Sequence, residues 1–288
     1  MLIKWKDYLK KKKKKLLKRR SEETWPIPDA VIRKFYLHSG GMANTFLGNG
    51  QLSTILPKKE ENPDHYESDP SNPINSIGGH SLLGGSVDQR INEIRKDVLV
   101  YTSLELKEDL VFIGYGNATI YESTSETDTD FFIKIIDLTL EGKAYNVTQC
   151  GRRRRYLKNG RTSPEALTPG KIEKWCIELY ATGYVVKKGH KIRVEISCND
   201  FINREINPNQ FMDLSKVTKK DYIIAKQTIY HDEDDPSMIK LPVFPAEYKR
   251  VYIEWPFGDG EDSMNMQVEA KWNKENKQVQ SKNLMENC

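Results

Sequence analysis

Short runs in which apolar and polar residues alternate dominate the middle of the chain. The clearest run lies at residues 191–196. It predicts a core-facing side made of Ile192, Val194 and Ile196 and a solvent-facing side, the wet face, made of Lys191, Arg193 and Glu195. Similar runs bounded by Gly, Pro or Asn predict further strands. They lie at Arg33–His38, Val98–Thr102, Leu110–Glu122, Asp130–Leu138, Ala144–Cys150, Lys174–Tyr180, Lys191–Cys198, Ala225–Tyr230 and Arg250–Trp255.

Amphipathic helical patterns are few, and the clearest candidate for helical structure is Ser215–Asp221. Many short strands with few helices indicate an all-β protein, and we expect an antiparallel two-sheet sandwich. Periodicity does not give the strand order, so a jelly roll and an immunoglobulin-like topology both remain open at this point.

Changes in composition divide the chain into four predicted segments. Residues 1–24 form a Lys-rich tail, residues 25–97 a turn-rich connector, residues 98–245 the β-sandwich domain, and residues 246–288 a terminal strand and polar tail. The connector is rich in Pro and Gly, which favour extended loops over long strands. The polar tail has too little apolar content to fold alone.

Charge is concentrated at one end. Residues 1–20 hold eleven Lys or Arg and one acid, whereas the whole chain has a net charge of +4, so the remaining body is acidic. An acidic body argues against a nucleic-acid-binding protein. For residues 1–20 we favour a solvated tail over a contact with an anionic surface or nucleic acid.

Four cysteines, Cys150, Cys176, Cys198 and Cys288, lack the spacing of zinc or redox motifs, so we expect free thiols, with a disulfide among the first three as the alternative. No run of apolar residues is long enough to span a membrane, and no secretory signal is evident. The expected location is cytoplasmic, and we expect no cofactor.

Candidate catalytic residues do not form a recognisable set. The nearest approach to a G-x-S-x-G elbow is Gly79–Gly84, with Ser81 at the nucleophile position, but Leu83 stands where Gly is required. A base needs a placed nucleophile and an orienting acid, and the sequence places neither. We therefore expect no catalytic base among the five histidines, His38, His65, His80, His190 and His231. For His190 and His231 we expect structural hydrogen-bonding roles.

Other polar and aromatic groups each allow a functional and a structural interpretation. Asp128, Asp130 and Asp137 suggest a calcium site, but we favour Asp130 tying a loop to backbone N–H groups. We interpret residues 232–235 as a solvated acidic loop, and Arg152–Arg155 as an exposed strand edge or interdomain contact rather than a phosphate or carboxylate grip. For a set of aromatic residues we favour core packing over a sugar platform: Trp175, Tyr180, Tyr184, Trp255 and Trp272.

A series of short stretches over about residues 25–243 is informative through its order, although no single stretch is specific. The stretches are Phe35–Gly41, Gly78-Gly79, Asp88–Arg90, Asp97–Ser103, Glu108–Leu110, Thr127–Phe131, Asp137, Glu141-Gly142, Lys187–Val194, Asn207–Asn209 and Gln227–Asp232. In this order they resemble the C-terminal domain of the X-prolyl dipeptidyl peptidase and cocaine-esterase-like (CocE/NonD) serine hydrolase family.

The resemblance implies a jelly roll of the galactose-binding-like type that follows an α/β-hydrolase domain with a helical cap. In that family the catalytic serine, acid and histidine precede the matched region, so we expect no catalytic, cofactor-binding or metal-binding residue in this chain. The implied function is a non-catalytic C-terminal domain, a fragment or split half, supporting a hydrolase domain that cleaves peptide or ester bonds.

The implied partner is that α/β-hydrolase domain, supplied in trans or lost by truncation, and a homodimer of the family type is a further option. A partner would require an exposed apolar face, which we expect on the connector around Phe35, Tyr36, Leu37 and Leu82. The alternative function is a free-standing carbohydrate-binding β-sandwich module.

Overall fold

The computed structural model describes residues 25–79, 84–160 and 162–244. Residues 29–246 form one compact unit, and residues 1–28 and 247–288 are assigned to a second. The described part contains one short helix, α1 (Arg90–Glu93), and three single 3₁₀ turns, Arg154–Tyr156, Leu214–Lys216 and Lys219–Asp221. Two of these turns fall where the sequence predicted helical structure.

Thirteen strands make up most of the described secondary structure. In chain order they are β1 (Val31–His38), β2 (Gln51–Ser53), β3 (Asp64–Ser68), β4 (Leu99–Ser103), β5 (Leu110–Gly114), β6 (Asn117–Thr124), β7 (Asp130–Leu138), β8 (Ala144–Arg153), β9 (Glu173–Glu178), β10 (Thr182–Val186), β11 (Lys191–Ser197), β12 (Ala225–Tyr230) and β13 (Met238–Phe244).

The strands form one hydrogen-bonded path in the order β3-β12-β6-β13-β1-β2-β4-β11-β7-β8. Three more strands branch from it: β5 pairs with β13, β10 pairs with β5, and β9 pairs with β6. The described pairs are antiparallel apart from β2 and β4, which run parallel. One half of the path packs against the other around a shared core, which confirms the predicted all-β sandwich.

The core lies between these two layers. The inward residues of β7 and β11, such as Ile133 and Val194, belong to the same buried cluster as Ile120 of β6. Across the layers, the ring of Phe131 meets the indole of Trp175 edge-on, with centroids 4.7 Å apart. Burying each such side chain contributes about 1.5–3 kcal/mol.

The predicted wet face of β11 is wrong for two of its three residues. Arg193 and Glu195 are 6% and 3% exposed, because the segment around α1 runs across the outer face of β7 and β11. That segment supplies polar partners: the Arg193 guanidinium bonds to Glu93, and Lys134 Nζ donates to Gln89 Oε1 at 3.1 Å. Charges of this kind tolerate burial because they are paired.

Residues 25–97 contribute three strands to the sheet. β1 pairs with β13 from Val31 opposite Val243 to Tyr36 opposite Met238, and β3 pairs with β12. Phe35, Tyr36 and Leu37 are therefore buried, so the exposed apolar face that we expected around them is not there. Leu82 lies outside the described residues.

The predicted strand Leu110–Glu122 is two strands, because the chain turns at Tyr115 and Gly116. Gly114, the last residue of β5, adopts φ +136°, a backbone conformation that favours glycine. A Cβ at Gly116 would lie 2.9 Å from the carbonyl oxygen of Lys240, so only glycine allows this close approach.

Four of the described strands were not predicted: β2, β3, β10 and β13. β13 contains Pro242, a residue that usually argues against a central strand. β10 contains Gly183 and is short. The predicted strand 250–255 and the two terminal segments, 1–24 and 246–288, fall outside the described residues.

Candidate functional site

The predicted nucleophile position cannot be placed, since His80 and Ser81 lie in the gap at residues 80–83. The flanking glycines exchange two backbone hydrogen bonds, Gly79 N to Gly85 O at 2.8 Å and Gly85 N to Gly79 O at 2.9 Å. A nucleophile elbow connects a strand directly to a helix, whereas Gly79 and Gly85, the described glycines on either side of the gap, form an isolated bridge.

Two described histidines lie near the surface in structural contacts. His38 Nδ1 is 2.8 Å from Glu61 Oε1, and His38 Nε2 is 2.9 Å from the carbonyl oxygen of Ile55. His65 Nδ1 is 3.0 Å from Thr228 Oγ1, its neighbour across the β3–β12 pair. Both histidines therefore tie neighbouring chain segments together.

His190 immediately precedes β11 and pairs with Asp137, near the end of β7. His190 Nδ1 is 2.7 Å from Asp137 Oδ1, and Tyr184 OH donates to Asp137 Oδ2 at 2.9 Å. Burial and the Asp137 carboxylate raise the pKa of Tyr184. Asp137 thus joins three strands, and Tyr184 has a structural role.

Asp64 is the centre of a buried polar cluster that the sequence did not indicate. Its carboxylate accepts hydrogen bonds of 2.7 Å from the Ser39 and Tyr101 hydroxyls and from the Ala43 amide. His231 Nε2 lies 3.0 Å from Asp64 Oδ2. Burial opposes ionisation of Asp64, but these hydrogen bonds outweigh it and lower the pKa. Ser39 donates to the acid and not to the imidazole, unlike a nucleophile beside its base.

Asp128 and Asp130 are held by side chains at the end of the sandwich. Asp128 Oδ2 accepts from Arg155 Nε at 2.7 Å, and Asp130 Oδ1 accepts from Arg153 Nε at 3.0 Å. Asn207 Nδ2 donates to both carboxylates. The expected backbone N–H partners of Asp130 are therefore wrong, since arginine and asparagine side chains take that role.

The calcium interpretation has no support among the described residues. Asp130 and Asp137 begin and nearly end β7, so they are about 23 Å apart along the strand. No group of three or more His, Cys, Asp or Glu in the described ranges is arranged to hold a metal ion.

In the 232–235 loop, Asp232 accepts backbone hydrogen bonds from Asp234 and Asp235.

The arginine run is largely internal, which corrects the expected exposed edge. Arg154 and Arg155 are each 5% exposed, whereas Arg152 is exposed on β8. Arg154 bonds to Glu173 and lies 4.0 Å from Glu122. The run therefore stabilises the end of the sandwich through ion pairs.

Glu122 faces the core from β6. Trp175 Nε1 donates to Glu122 Oε1 at 2.6 Å, which uses the polar atom of the indole. Burial raises the pKa of Glu122 to about 8. Trp175 is 1% exposed, which confirms core packing for this tryptophan. Tyr180 is 46% exposed beyond the end of β9, so core packing is wrong for it. Trp255 and Trp272 lie outside the described residues.

Two glutamates, Glu93 of α1 and Glu195 of β11, are buried close together where α1 lies against the sheet. Arg193 bonds to Glu93, and Lys134 Nζ lies 3.7 Å from Glu195 Oε2. Burial raises the pKa of both carboxyls, that of Glu195 to about 8, despite the neighbouring cations. A carboxyl pair in this state holds a proton at neutral pH.

Cys150 and Cys198 are free thiols, so the alternative of a disulfide between two of the first three cysteines is wrong. Cys176 is disulfide-bonded, which corrects the expected free thiol at that position. Burial raises the pKa of Cys198 to about 12 and also raises that of Cys150. Raised pKa values make both thiols poor nucleophiles.

Within the described ranges, no helix is long and apolar enough to cross a membrane.

An exposed apolar surface does occur on the connector, at a place that the sequence did not predict. It consists of Met42, Phe46, Leu47, Ile91 and Ile94, with exposures from 37% for Phe46 to 82% for Leu47. The Phe46 amide donates to the carbonyl oxygen of Glu93 at 2.9 Å, so the 42–47 loop and α1 are neighbours. We call these five residues the connector patch.

These observations define a class of protein: an all-β accessory domain whose described histidines and buried carboxylates are engaged in structural contacts. The sequence model of one family, the X-Pro dipeptidyl-peptidase C-terminal non-catalytic domain, matches residues 4–240. The chain belongs to this family.

Similar proteins agree with this assignment. The cocaine esterase of Rhodococcus sp. is 33% identical over 228 residues, which are 78% of this chain and 39% of that enzyme. An aminopeptidase from a marine sediment archaeon, Thaumarchaeota archaeon, has a solved structure with TM-score 0.66 and 24% identity, covering 75% of this chain and 37% of its own. An α-amino acid ester hydrolase gives TM-score 0.65 and 24% identity, covering 73% and 36%.

The two solved structures support the fold, and the esterase supports the family. The chain spans less than half of the length of each of these relatives. It therefore corresponds to the non-catalytic C-terminal domain of CocE/NonD and X-Pro dipeptidyl-peptidase-like hydrolases.

Proposed function

We propose that this domain supports an α/β-hydrolase domain that cleaves peptide or ester bonds, and that the hydrolase domain carries the catalytic serine, acid and histidine. The observation that carries the proposal is the match of residues 4–240 to a family defined as non-catalytic and C-terminal. The names of the similar enzymes, an esterase, an aminopeptidase and an amino acid ester hydrolase, suggest the bond types.

The connector patch supports the existence of a partner. Met42 and Ile91 are each 65% exposed, and Ile94 is 60% exposed. Exposed apolar residues grouped on neighbouring surface segments commonly mark an interaction site, because covering them removes apolar area from water. We propose that the hydrolase domain covers the connector patch.

The described polar groups support the non-catalytic assignment. A serine hydrolase needs a serine hydroxyl that donates to an imidazole, which an acid orients. In the Asp64 cluster the hydroxyl of Ser39 and the imidazole of His231 both contact the same carboxylate, so neither activates the other. This arrangement holds chain segments together.

Co-expression tests the supporting role. The full chain is produced together with the part of Rhodococcus cocaine esterase that the similarity does not cover, and affinity capture and ester hydrolysis are measured. We expect the two to co-purify, with hydrolysis above that of the esterase part alone. Intact cocaine esterase is the positive control.

The patch is tested in the same system. Leu47→Asp should reduce co-purification by at least tenfold, because it places a charge in an apolar contact. Leu104→Asp is the matched control, since Leu104 is 88% exposed in the β4–β5 loop and is not part of the patch. Failure of the wild-type chain to associate, or equal effects of the two substitutions, would contradict the proposal.

A further inference from the structure

Helix α1 lies against the sheet with its polar side chains inward. Asn92 and Glu93 are its buried residues, whereas Ile91 and the following Ile94 are 65% and 60% exposed. An element that packs on a protein core usually buries its apolar side instead. Polar contacts therefore hold α1 in place, and its apolar side chains form part of the connector patch.

The contacts beneath α1 are buried and partly charged. Arg193 of β11 bonds to Glu93. Lys134 Nζ of β7 donates to Oε1 of Gln89, the residue before α1, at 3.1 Å and lies 3.7 Å from Glu195 Oε2. Each of these five residues is at most 6% exposed. The docking of α1 thus depends on the charge state of this cluster.

Each of the two glutamates keeps one oxygen without a donor. Glu93 Oε1 and Glu195 Oε1 are buried, and no described residue donates a hydrogen bond to either. Leaving buried acceptors unsatisfied is costly, and more so for charged groups. Because the two carboxyls lie close together, a proton bound by the pair removes one negative charge and supplies a donor. Burial raises the pKa of both carboxyls in the same direction.

The surrounding groups do not replace this proton. Arg193 and Lys134 face the other oxygen, Oε2, of Glu93 and Glu195 respectively. Asp88 adds a negative charge that favours protonation of Glu93. The groups around the pair are Asp88, Gln89 and Arg90 of the connector, Thr102 of β4, Lys134 of β7, Asn146 of β8 and Arg193 of β11.

We propose that a proton shared by Glu93 and Glu195 latches α1 to the sheet, and that loss of this proton releases α1 together with the Ile91 and Ile94 part of the connector patch. In one respect the inference rests on the proposed function: if the hydrolase domain covers the patch, association weakens as the pH rises.

The sign follows from proton linkage. A glutamate in a released, solvated α1 segment loses its proton near pH 4.5, whereas the docked pair retains a proton to higher pH because burial raises the pKa of both carboxyls. The docked state therefore binds the extra proton, and rising pH favours release. The latch is complete below the pKa of the released segment and is lost as the pH approaches that of the docked pair.

Amide hydrogen exchange of the full chain, followed by mass spectrometry, tests the latch without a partner. The reporters are two amides that docked α1 protects: Gln89 N donates to Ala144 O at 2.7 Å, and Phe46 N donates to Glu93 O at 2.9 Å. With rates corrected for their intrinsic pH dependence, one proton predicts a loss of protection of about tenfold per pH unit between about pH 5.5 and 7.5.

Amides of β7 should stay more protected than the reporters throughout, because α1 opens without unfolding of the core. Protection of the reporters that equals that of β7, or that does not change with pH in the wild-type chain, would overturn the proposal. This wild-type profile decides the matter without any variant.

Substitutions assign the effect to the pair. Glu195→Gln keeps the shape of the side chain and is neutral at every pH, so it should abolish the pH dependence at the reporters. Glu108→Gln, at an exposed position in the β4–β5 loop, is the matched control and should retain it. Thermal unfolding verifies the fold of each variant. An unchanged pH dependence in folded Glu195→Gln would also overturn the proposal.

Co-purification with the esterase part at about pH 5.5 and 7.5 tests the link to the patch. We expect weaker association of the wild-type chain at the higher pH and no such change for Glu195→Gln. Equal association of the wild-type chain at both values would overturn the link to the patch. Absence of association at both values would contradict the proposed function, whereas amide exchange alone decides whether the latch exists.

Discussion

The buried carboxyl pair predicts that the domain loses stability as the pH rises through neutrality. Glu195 ionises near pH 4.5 in an unfolded chain and at about 8 in the folded protein. Between these values the folded state retains a proton that the unfolded state has lost. The stabilisation is therefore complete below the unfolded pKa and is lost as the pH rises towards the folded pKa.

The magnitude follows from proton linkage. One extra proton bound by the folded state lowers the unfolding free energy by about 1.4 kcal/mol per pH unit, or about 3 kcal/mol over two units. Glu122, whose pKa is also raised to about 8 by burial, adds a second proton of the same sign. Glu195→Gln should therefore remove about half of the combined slope, because glutamine is neutral at every pH.

Urea unfolding followed by tryptophan fluorescence at about pH 5.5, 6.5 and 7.5 measures these slopes. Glu108→Gln, an exposed residue in the β4–β5 loop, is the matched control and should retain the wild-type slope. The reasoning would be refuted if the wild-type chain became more stable with rising pH in this window, or if Glu195→Gln and wild type had the same slope.

Two further stability predictions concern other parts of the sandwich. Asp64→Asn should lower the unfolding free energy by about 2–4 kcal/mol, because the Asp64 carboxylate makes four polar contacts in a buried cluster. Asp234→Asn, at an exposed position, is the control and should change the unfolding free energy little. Chemical unfolding at neutral pH compares the two variants. Gly151→Ala should lower the unfolding free energy by about 1–3 kcal/mol, because the new Cβ would clash with the Phe132 ring. Gly183→Ala is the control, since its new Cβ would have its nearest neighbour at 3.8 Å. Equal unfolding midpoints for the two variants would contradict this prediction.

Local patterns predicted the strands that have continuous signals. Asp130–Leu138 and Ala225–Tyr230 were predicted to the residue, because apolar and β-branched residues in short runs report burial directly. The strand that contains Pro242 was not predicted, because a proline argues against a central strand.

The polar clusters could not be predicted from local patterns. Arg193 looks solvent-facing because its partner Glu93 is 100 residues away. Asp64 contacts His231, which is 167 residues away, and no spacing rule connects them. An exposed apolar surface on the connector was predicted, but at the wrong residues. Pairing of β1 with β13 buries Phe35, and the exposed apolar residues lie instead in the 42–47 loop and around α1.

The central claim is that this domain does not carry a working nucleophile of its own. Intact-mass analysis after incubation of the full chain with a fluorophosphonate tests it most directly, with cocaine esterase as the positive control. We expect the esterase to gain one adduct and this chain to keep its unmodified mass. Stoichiometric modification of a single serine in the isolated chain would contradict the claim.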